Sequence, residues 1–252
     1  MEWLLFLGGA LAVWGFCHPV ACLLRCLGMW DKPNERSSHQ TPVLRGGGLA
    51  IVLVLAIIIL VCVRLENAKL AYMWLTALAT LGWINFLDDY GHVRKRFRLV
   101  AQIFSAIIVL AIFGFSPLFI FLIGFLLVAF TNFVNFIDGI NGLVTGQLLL
   151  IVAGIVLLTE AHSNSAETAQ ILFALVFAGA LAGFLPFNFP KAKLFLGDVG
   201  SVLLGFSCGI LVIWMGRKNT ELYHVFIPLC GYFFLEGGIT LLRRIIAGKR
   251  WE

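Results

Sequence analysis

Residues 117–142 read PLFIFLIGFLLVAFTNFVNFIDGING, and both the fold and the chemistry start from them. Residues 117–134 are apolar except for Thr131 and Asn132. A helix of about 20 such residues crosses a bilayer core of about 30 Å. The run by itself leaves a full crossing and a re-entrant half-span open. It then closes on amide and carboxyl side chains and two glycines, the composition expected where a helix leaves hydrocarbon.

Comparable runs recur along the chain at 3–23, 46–63, 69–87, 99–115, 141–158, 169–187, 199–215 and 223–242. They are continuous, whereas a transmembrane β-barrel needs short alternating segments. The chain is 61% hydrophobic with a mean hydropathy of +0.99, against roughly 45–50% apolar residues in a soluble domain. The expected fold is all-α: a polytopic transmembrane helical bundle of about nine spans, forming one domain over 1–252. The longest polar loop, 24–45, leaves no room for a separate soluble domain. Six cysteines (17, 22, 26, 62, 208, 230) lie in or beside spans without a CxxC pair, and read as small buried hydrophobes. The net charge of +5 belongs to loops facing anionic lipid and does not point to nucleic acid.

The first run follows Glu2, and its basic residues come after it. That order describes a signal anchor with the N-terminus outside. Nine spans then place 24–45, 88–98, 135–140, 188–198 and 243–252 on one side. Those segments hold Arg25, Lys32, Arg36, Arg45, Arg94, Lys95, Arg96, Arg98, Lys191, Lys193, Arg243, Arg244, Lys249 and Arg250, fourteen of the 18 basic residues. Arg64, Lys69, Arg217 and Lys218 remain for the other side. The positive-inside rule makes the first side, and with it the C-terminus, cytoplasmic. All five aspartates (31, 88, 89, 138, 198) fall there too.

Carboxylates at the edge of hydrocarbon are costly unless paired or holding a cation. Asp88-Asp89 end one run and precede Arg94, Lys95, Arg96 and Arg98. Adjacent carboxylates repel, so the pair reads either as a solvated helix end bound to those bases or as a metal or general-base site. Asn132, Asn135 and Asp138 recur every three residues, near one helix face. Gly139 and Gly142 flank Ile140-Asn141 and suit a turn. These oxygen donors suit a hard cation, although asparagine also serves as polar glue between membrane helices. In Leu196-Gly197-Asp198-Val199-Gly200-Ser201, Asp198 reads either as an N-cap or as part of a helix end that receives phosphate. Phe195 could stack on a base or simply pack. The basic loop Arg36-Ser37-Ser38-His39, running through Arg45 into Gly46-Gly47-Gly48, offers guanidinium groups and amides to phosphate oxygens; an ordinary positive-inside loop has the same composition. Glu236 lies inside the last run and is either functional or paired with Arg243 or Arg244. Pro186 and Pro228 suggest kinks.

Together these segments resemble the polyprenyl-phosphate N-acetylhexosamine-1-phosphate transferases, a family of phospho-N-acetylmuramoyl-pentapeptide translocases and initiators of O-antigen and teichoic-acid linkage units. The matching stretches are Arg36 to His39, Pro42 to Gly48, Leu87 to Tyr90, Asn132 to Gly142, Phe195 to Ser201, and Ile227-Pro228 with Arg243-Arg244, in family order. Asn141 stands where the peptidoglycan translocase usually has aspartate, and the Arg36 loop and the Arg250-Trp251-Glu252 ending lean towards the O-antigen branch. Family members continue into a histidine-rich cytoplasmic loop and a further span, so a C-terminally incomplete transferase domain is expected.

The resemblance implies transfer of a sugar 1-phosphate from a UDP-HexNAc to undecaprenyl phosphate with release of UMP, initiating a lipid-linked envelope glycan. It implies Mg²⁺, or Mn²⁺ in its place, and an enzyme of the bacterial inner membrane with a cytoplasmic active site; a homodimer is left open. On matching positions, Asp198 binds the metal with Asn135 and Asp138 as ligands or close support. Asp88 deprotonates or orients the lipid phosphate, supported by Asp89. Phe195, Asn141 and the Gly139 backbone serve uracil, Asn132 serves substrate, and Arg45 with Arg98 steers phosphates. Asp31 matches no catalytic position. The rival class is an ion- or proton-coupled transporter using interfacial carboxylates, and a catalytically inert scaffold is a third.

Overall fold

The computed structural model describes residues 2–33, 40–65, 68–91, 93–162, 168–217, 220 and 222–247. Among them the chain forms, in order, α1 (Glu2–Cys26), β1 (Trp30–Asp31), β2 (Val43–Arg45), α2 (Leu49–Leu65), α3 (Ala68–Gly91) and α4 (Lys95–Ile112). Then follow α5 (Pro117–Ile137), α6 (Leu143–His162), α7 (Thr168–Asn188), β3 (Leu194–Phe195), α8 (Gly197–Gly216) and α9 (Leu222–Ile246). Each expected run has its helix.

Local chemistry sets several of the boundaries. Gly114, at φ 75°, takes the chain out of α4, as left-handed glycines do past a helix C-terminus. Ser116 is extended and Pro117 opens α5, where a missing N–H costs nothing. The 117–134 run belongs to an unbroken helix of 21 residues, which at 1.5 Å per residue is roughly 30 Å long. That length favours a crossing over a half-span. Among the described residues, four helices are long and apolar enough to cross a membrane: Trp3–Cys26, Pro117–Ile137, Gln170–Asn188 and Gly197–Gly216. Shorter apolar stretches occupy Leu49–Leu60, Leu143–Leu158 and Phe226–Thr240. Large apolar side chains such as Trp3, Leu11, Phe121 and Phe125 face outward, a surface that suits lipid and would be a liability in water. The architecture is that of a helical membrane protein.

Helix α8 is the axis. From Val199 to Leu211 every residue is buried, the condition of a helix that is apolar all round. It packs on α5 and α3, with α6, α2 and α9 around it, while α1 lies along α7. The α1–α7 approach depends on missing side chains. A Cβ on Gly179 would stand 2.0 Å from the Phe6 carbonyl oxygen, and one on Gly183 2.2 Å from that of Ala10. Small residues allow membrane helices this closeness.

One element departs from the all-α expectation. β1 pairs antiparallel with β2, and β2 parallel with β3, matching Leu44 with Leu194 and Arg45 with Phe195. Strands of two or three residues carry almost no alternation to read in a sequence. Their effect is to bring the 24–45 loop against the 188–198 loop at the head of α8.

Candidate active site

The glycine clusters build this site by letting two backbones touch. Beyond the β2–β3 register, the Gly47 N–H donates to the Phe195 carbonyl (2.8 Å) and the Gly48 N–H to that of Leu196 (2.9 Å). A Cβ on Gly48 would lie 2.2 Å from the Gly200 Cα. These two amides therefore serve the sheet extension, where the sequence reading offered them to phosphate. Residues 36–39 of the same expected loop lie outside the described residues.

Asp89 closes the head of α8. Its carboxylate accepts the backbone N–H of Asp198 (2.8 Å) and of Val199 (2.9 Å), and Arg45 Nε (2.7 Å). Its side chain has no exposed surface. A helix has unpaired N–H groups in its first turn, and here a side chain from α3 satisfies two of them. Gly197 is the neighbour this requires: at φ +72°, a Cβ there would sit 2.5 Å from Asp89 Oδ2. The N–H groups expected to receive a phosphate are thus occupied, and Asp198 is not itself the cap. Burial pushes the Asp89 carboxyl up to about 6, with Arg45 opposing the rise and Asp198 adding to it.

With the cap supplied elsewhere, Asp198 is free to be a hub. Its Oδ1 receives Asn135 Nδ2 at 2.8 Å and the Arg45 guanidinium at 3.1 Å. Its Oδ2 receives Arg98 at 2.5 Å. Arg98 also pairs with Asp88 Oδ2, whose Oδ1 accepts the Val93 N–H at 2.6 Å. The Asp88 carboxyl is raised by burial and then by its hydrogen bond with Asp198. For Arg45, burial works against the charge, but Asp89 and Asp198 overcome it and the pKa rises. Asn135 additionally reaches Ser201 Oγ at 2.9 Å, and Ser201 returns its proton to the Gly197 carbonyl.

Asp138 caps the C-terminal end of α5. Burial, then the charges of Asp198 and Asp89, hold its carboxyl well above the usual carboxylate range. Asn132 turns elsewhere. It donates to Gln102 Oε1 (2.5 Å) and to the Val128 carbonyl (2.7 Å). Three residues of helix advance fall short of a full turn by roughly 60°, so Asn132 has rotated off the face that Asn135 presents to Asp198. Among the basic residues 94–98, Arg98 alone turns into the cluster, while Arg94, Lys95 and Arg96 are exposed. Glu236 is exposed on α9.

The remaining candidates sit on the neighbouring turn. Asn141 donates to the Pro190 carbonyl (3.2 Å), and its Oδ1 is buried without a protein partner. Gly139 is exposed, and Phe195 pairs with Arg45 across the β2–β3 ladder. Asn188 holds this region together, and sequence reasoning missed it. Buried to 3% exposure, it accepts the Gly142 N–H (2.9 Å) and the Thr145 hydroxyl (3.3 Å). It also donates to the Leu194 carbonyl (3.0 Å). A lone amide closing an apolar helix, Leu185-Pro186-Phe187-Asn188, was the available signal.

Four carboxylates, Asp88, Asp89, Asp138 and Asp198, meet two guanidinium groups here. A family profile described as glycosyl transferase family 4 matches residues 70–216, which include every member of this cluster except Arg45. The chain belongs to glycosyl transferase family 4.

Among its relatives, phospho-N-acetylmuramoyl-pentapeptide-transferase of Staphylococcus aureus is 34% identical over 83% of this chain and 73% of its own length. The protein described as probable undecaprenyl-phosphate N-acetylglucosaminyl 1-phosphate transferase of Bacillus subtilis is 27% identical over 87% of the chain, which spans 65% of its length. Decaprenyl-phosphate N-acetylglucosaminephosphotransferase of Mycobacterium tuberculosis is 29% identical over 74% of the chain, covering 54% of that protein. In this family 4 chain the residues from α3 to α8 carry most of the polar cluster.

Among the described residues no three carboxylate, histidine or cysteine side chains form a ready metal cage. Mg²⁺ is commonly held by one or two carboxylates together with water and substrate phosphates. The donor set around Asp198, hard oxygens in excess of the neighbouring positive charge, fits such an ion.

Proposed function

We propose that this chain transfers a HexNAc-type sugar 1-phosphate from a UDP-sugar to polyprenyl phosphate, releasing UMP and initiating a lipid-linked envelope glycan of the O-antigen or a related type. The observation that carries the proposal is the cluster centred on Asp198, with carboxylates from the ends of α3, α5 and α8 and arginines from β2 and the start of α4. In the proposed topology nine helices cross the bacterial inner membrane, with the N-terminus outside, and the cluster opens to the cytoplasm.

The reaction joins two anions. An oxygen of the lipid phosphate attacks the β-phosphorus of the UDP-sugar; a new bond forms between them, the bond from the β-phosphorus to the bridging oxygen breaks, and UMP leaves carrying the bridging oxygen on its α-phosphate. Asp88, paired with Arg98 and partly accessible, takes or directs the proton of the lipid phosphate. Arg98 and Arg45 offset the repulsion between the two phosphates, as preorganised charges do where negative charge builds up. Asp198 and Asn135, with Asp138 beside them, would hold Mg²⁺. When bound, Mg²⁺ would neutralise the diphosphate and polarise its phosphoryl oxygens. Asn141, Phe195 and the Gly139 backbone line the proposed nucleotide side.

An apolar groove between α4 and α5 supports the lipid half of the reading. Its volume is about 760 Å³, and Leu99, Ile103, Ile107, Phe121, Phe125 and Asn132 are among its lining residues. Leu99 adjoins Arg98 in the chain, so an isoprenoid lying in the groove would bring its phosphate towards the cluster. Carriers tend to hold ionisable groups near the bilayer midplane, whereas these aspartates stand at helix ends, which favours transfer over transport. Exchange of labelled UMP with a UDP-HexNAc, in membranes containing undecaprenyl phosphate and Mg²⁺, tests the proposal. Asp198→Ala should lower exchange by about a hundredfold or more; near-normal exchange in that variant would remove the central residue from the mechanism.

A further inference from the structure

We propose that Gln102 is a positioning residue that acts through Arg98, and that Asn132 serves it as partner. On α4, Arg98, Gln102 and Ser105 follow one another at four and then three residues, so they form a single stripe. Gln102 and Ser105 are 2% and 0% exposed on a helix whose other buried residues are Ala101, Ala106, Val109 and Leu110. Polar side chains in such surroundings cost free energy unless bonded, and both are bonded across helices. The Ser105 hydroxyl meets that of Thr80 on α3 at 2.6 Å. Gln102 Oε1 accepts Asn132 Nδ2 from α5 at 2.5 Å. Helix α4 is therefore tied on both sides, one and two turns below Arg98.

The tie to α5 closes a ring. Gln102 lies one turn from Arg98, which grips Asp198 Oδ2. Asn132 lies one turn from Asn135, which grips Asp198 Oδ1. The amide pair joins the two helix turns whose next polar residues hold opposite oxygens of one carboxylate. Asn132 also lines the α4–α5 groove, so the pair marks its polar end. A tie that merely glued helices would contribute wherever it stood. This one fixes where the Arg98 backbone emerges, and so whether a long side chain reaches Asp88 and Asp198 together.

The catalytic arm of the test rests on the transferase reading, and the second arm does not. In UMP exchange with the purified chain in undecaprenyl-phosphate membranes, Gln102→Leu should slow turnover by about ten- to a hundredfold, the scale of a small misplacement, with KM for the UDP-sugar unchanged. In an Arg98→Gln background the same change should cost no more than about twofold, because residues acting as one unit are not additive. The exchange Gln102→Asn with Asn132→Gln keeps the summed chain length and should recover most of the rate. A full independent loss in the Arg98→Gln background, or a swap as slow as the singles, overturns the proposal. The melting temperatures of Gln102→Leu, Asn132→Leu and the double variant form the second arm. Coupled shifts support the pair and additive ones overturn it, even if the wild-type chain releases no UMP, a result that would defeat only the transferase reading. Should Gln102→Leu not accumulate, Gln102→Asn alone carries the same expectations.

Discussion

Adjacent aspartates at the end of α3 should respond to mutation in opposite ways. Asp89→Ala removes the acceptor of two backbone N–H groups and of Arg45 Nε from a site with no solvent access. Each buried donor left unpaired costs about 1–3 kcal/mol. The loss of Arg45's partner adds about 1 kcal/mol and not the several of a fully buried pair, because Arg45 is 38% exposed and keeps Asp198 at 3.1 Å. The sum is about 3–7 kcal/mol, and relaxation at the head of α8 brings the expected cost to about 3–5 kcal/mol. At roughly 2–4 °C per kcal/mol for a chain of this size, the melting temperature should fall by roughly 6–20 °C. Buried Cys17 and Cys208 permit the measurement with a thiol-reactive dye in detergent, where unfolding exposes them. Asp88→Ala should lower UMP exchange strongly and melting much less, since its partners Arg98 and Val93 lie at a partly exposed edge. If Asp89→Ala melted with the wild type while exchange collapsed, Asp89 would act on substrate directly and its role as the cap of α8 would be refuted.

Gly48→Ala should prevent accumulation of folded protein or lower its melting temperature by more than Asp89→Ala, because the new Cβ meets the Gly200 backbone at 2.2 Å; thermal unfolding of the membrane-extracted chain decides. Asn188→Leu strips partners from the Gly142 N–H and the Leu194 carbonyl and should cost about 2–4 kcal/mol, read in the same melting assay. Ile107→Trp, which fills part of the α4–α5 groove, should raise KM for the polyprenyl acceptor and leave KM for the UDP-sugar unchanged; equal effects on both would remove the groove from the acceptor's path.

The nine helices among the described residues were legible because each run is long and apolar enough to be read without knowing its neighbours. The aspartates were legible for a related reason: a carboxylate is so unlike its apolar surroundings that its mere position marks it. Their division of labour was not legible. Asp88 and Asp89 look alike in the sequence, yet one faces Arg98 while the other is sealed beneath α8. The glycine clusters suggested phosphate because loose amides and close-packed backbones share a composition. Asn132 was placed with Asn135 by a spacing that is nearly, but not quite, a turn. Gln102 and Asn188 went unread because a single amide in an apolar run acquires meaning only from what it touches.

By itself the sequence determined a helical membrane chain with four of its aspartates at span ends, because hydrophobic transfer and the cost of buried charge depend on composition and local order alone. Only the tertiary structure decided that β2 meets β3, that Asp89 caps a helix begun 108 residues later at Gly197, and that two arginines converge on Asp198. Those choices depend on distances of a few ångströms between segments far apart in the chain, and the pattern of any one segment does not contain them.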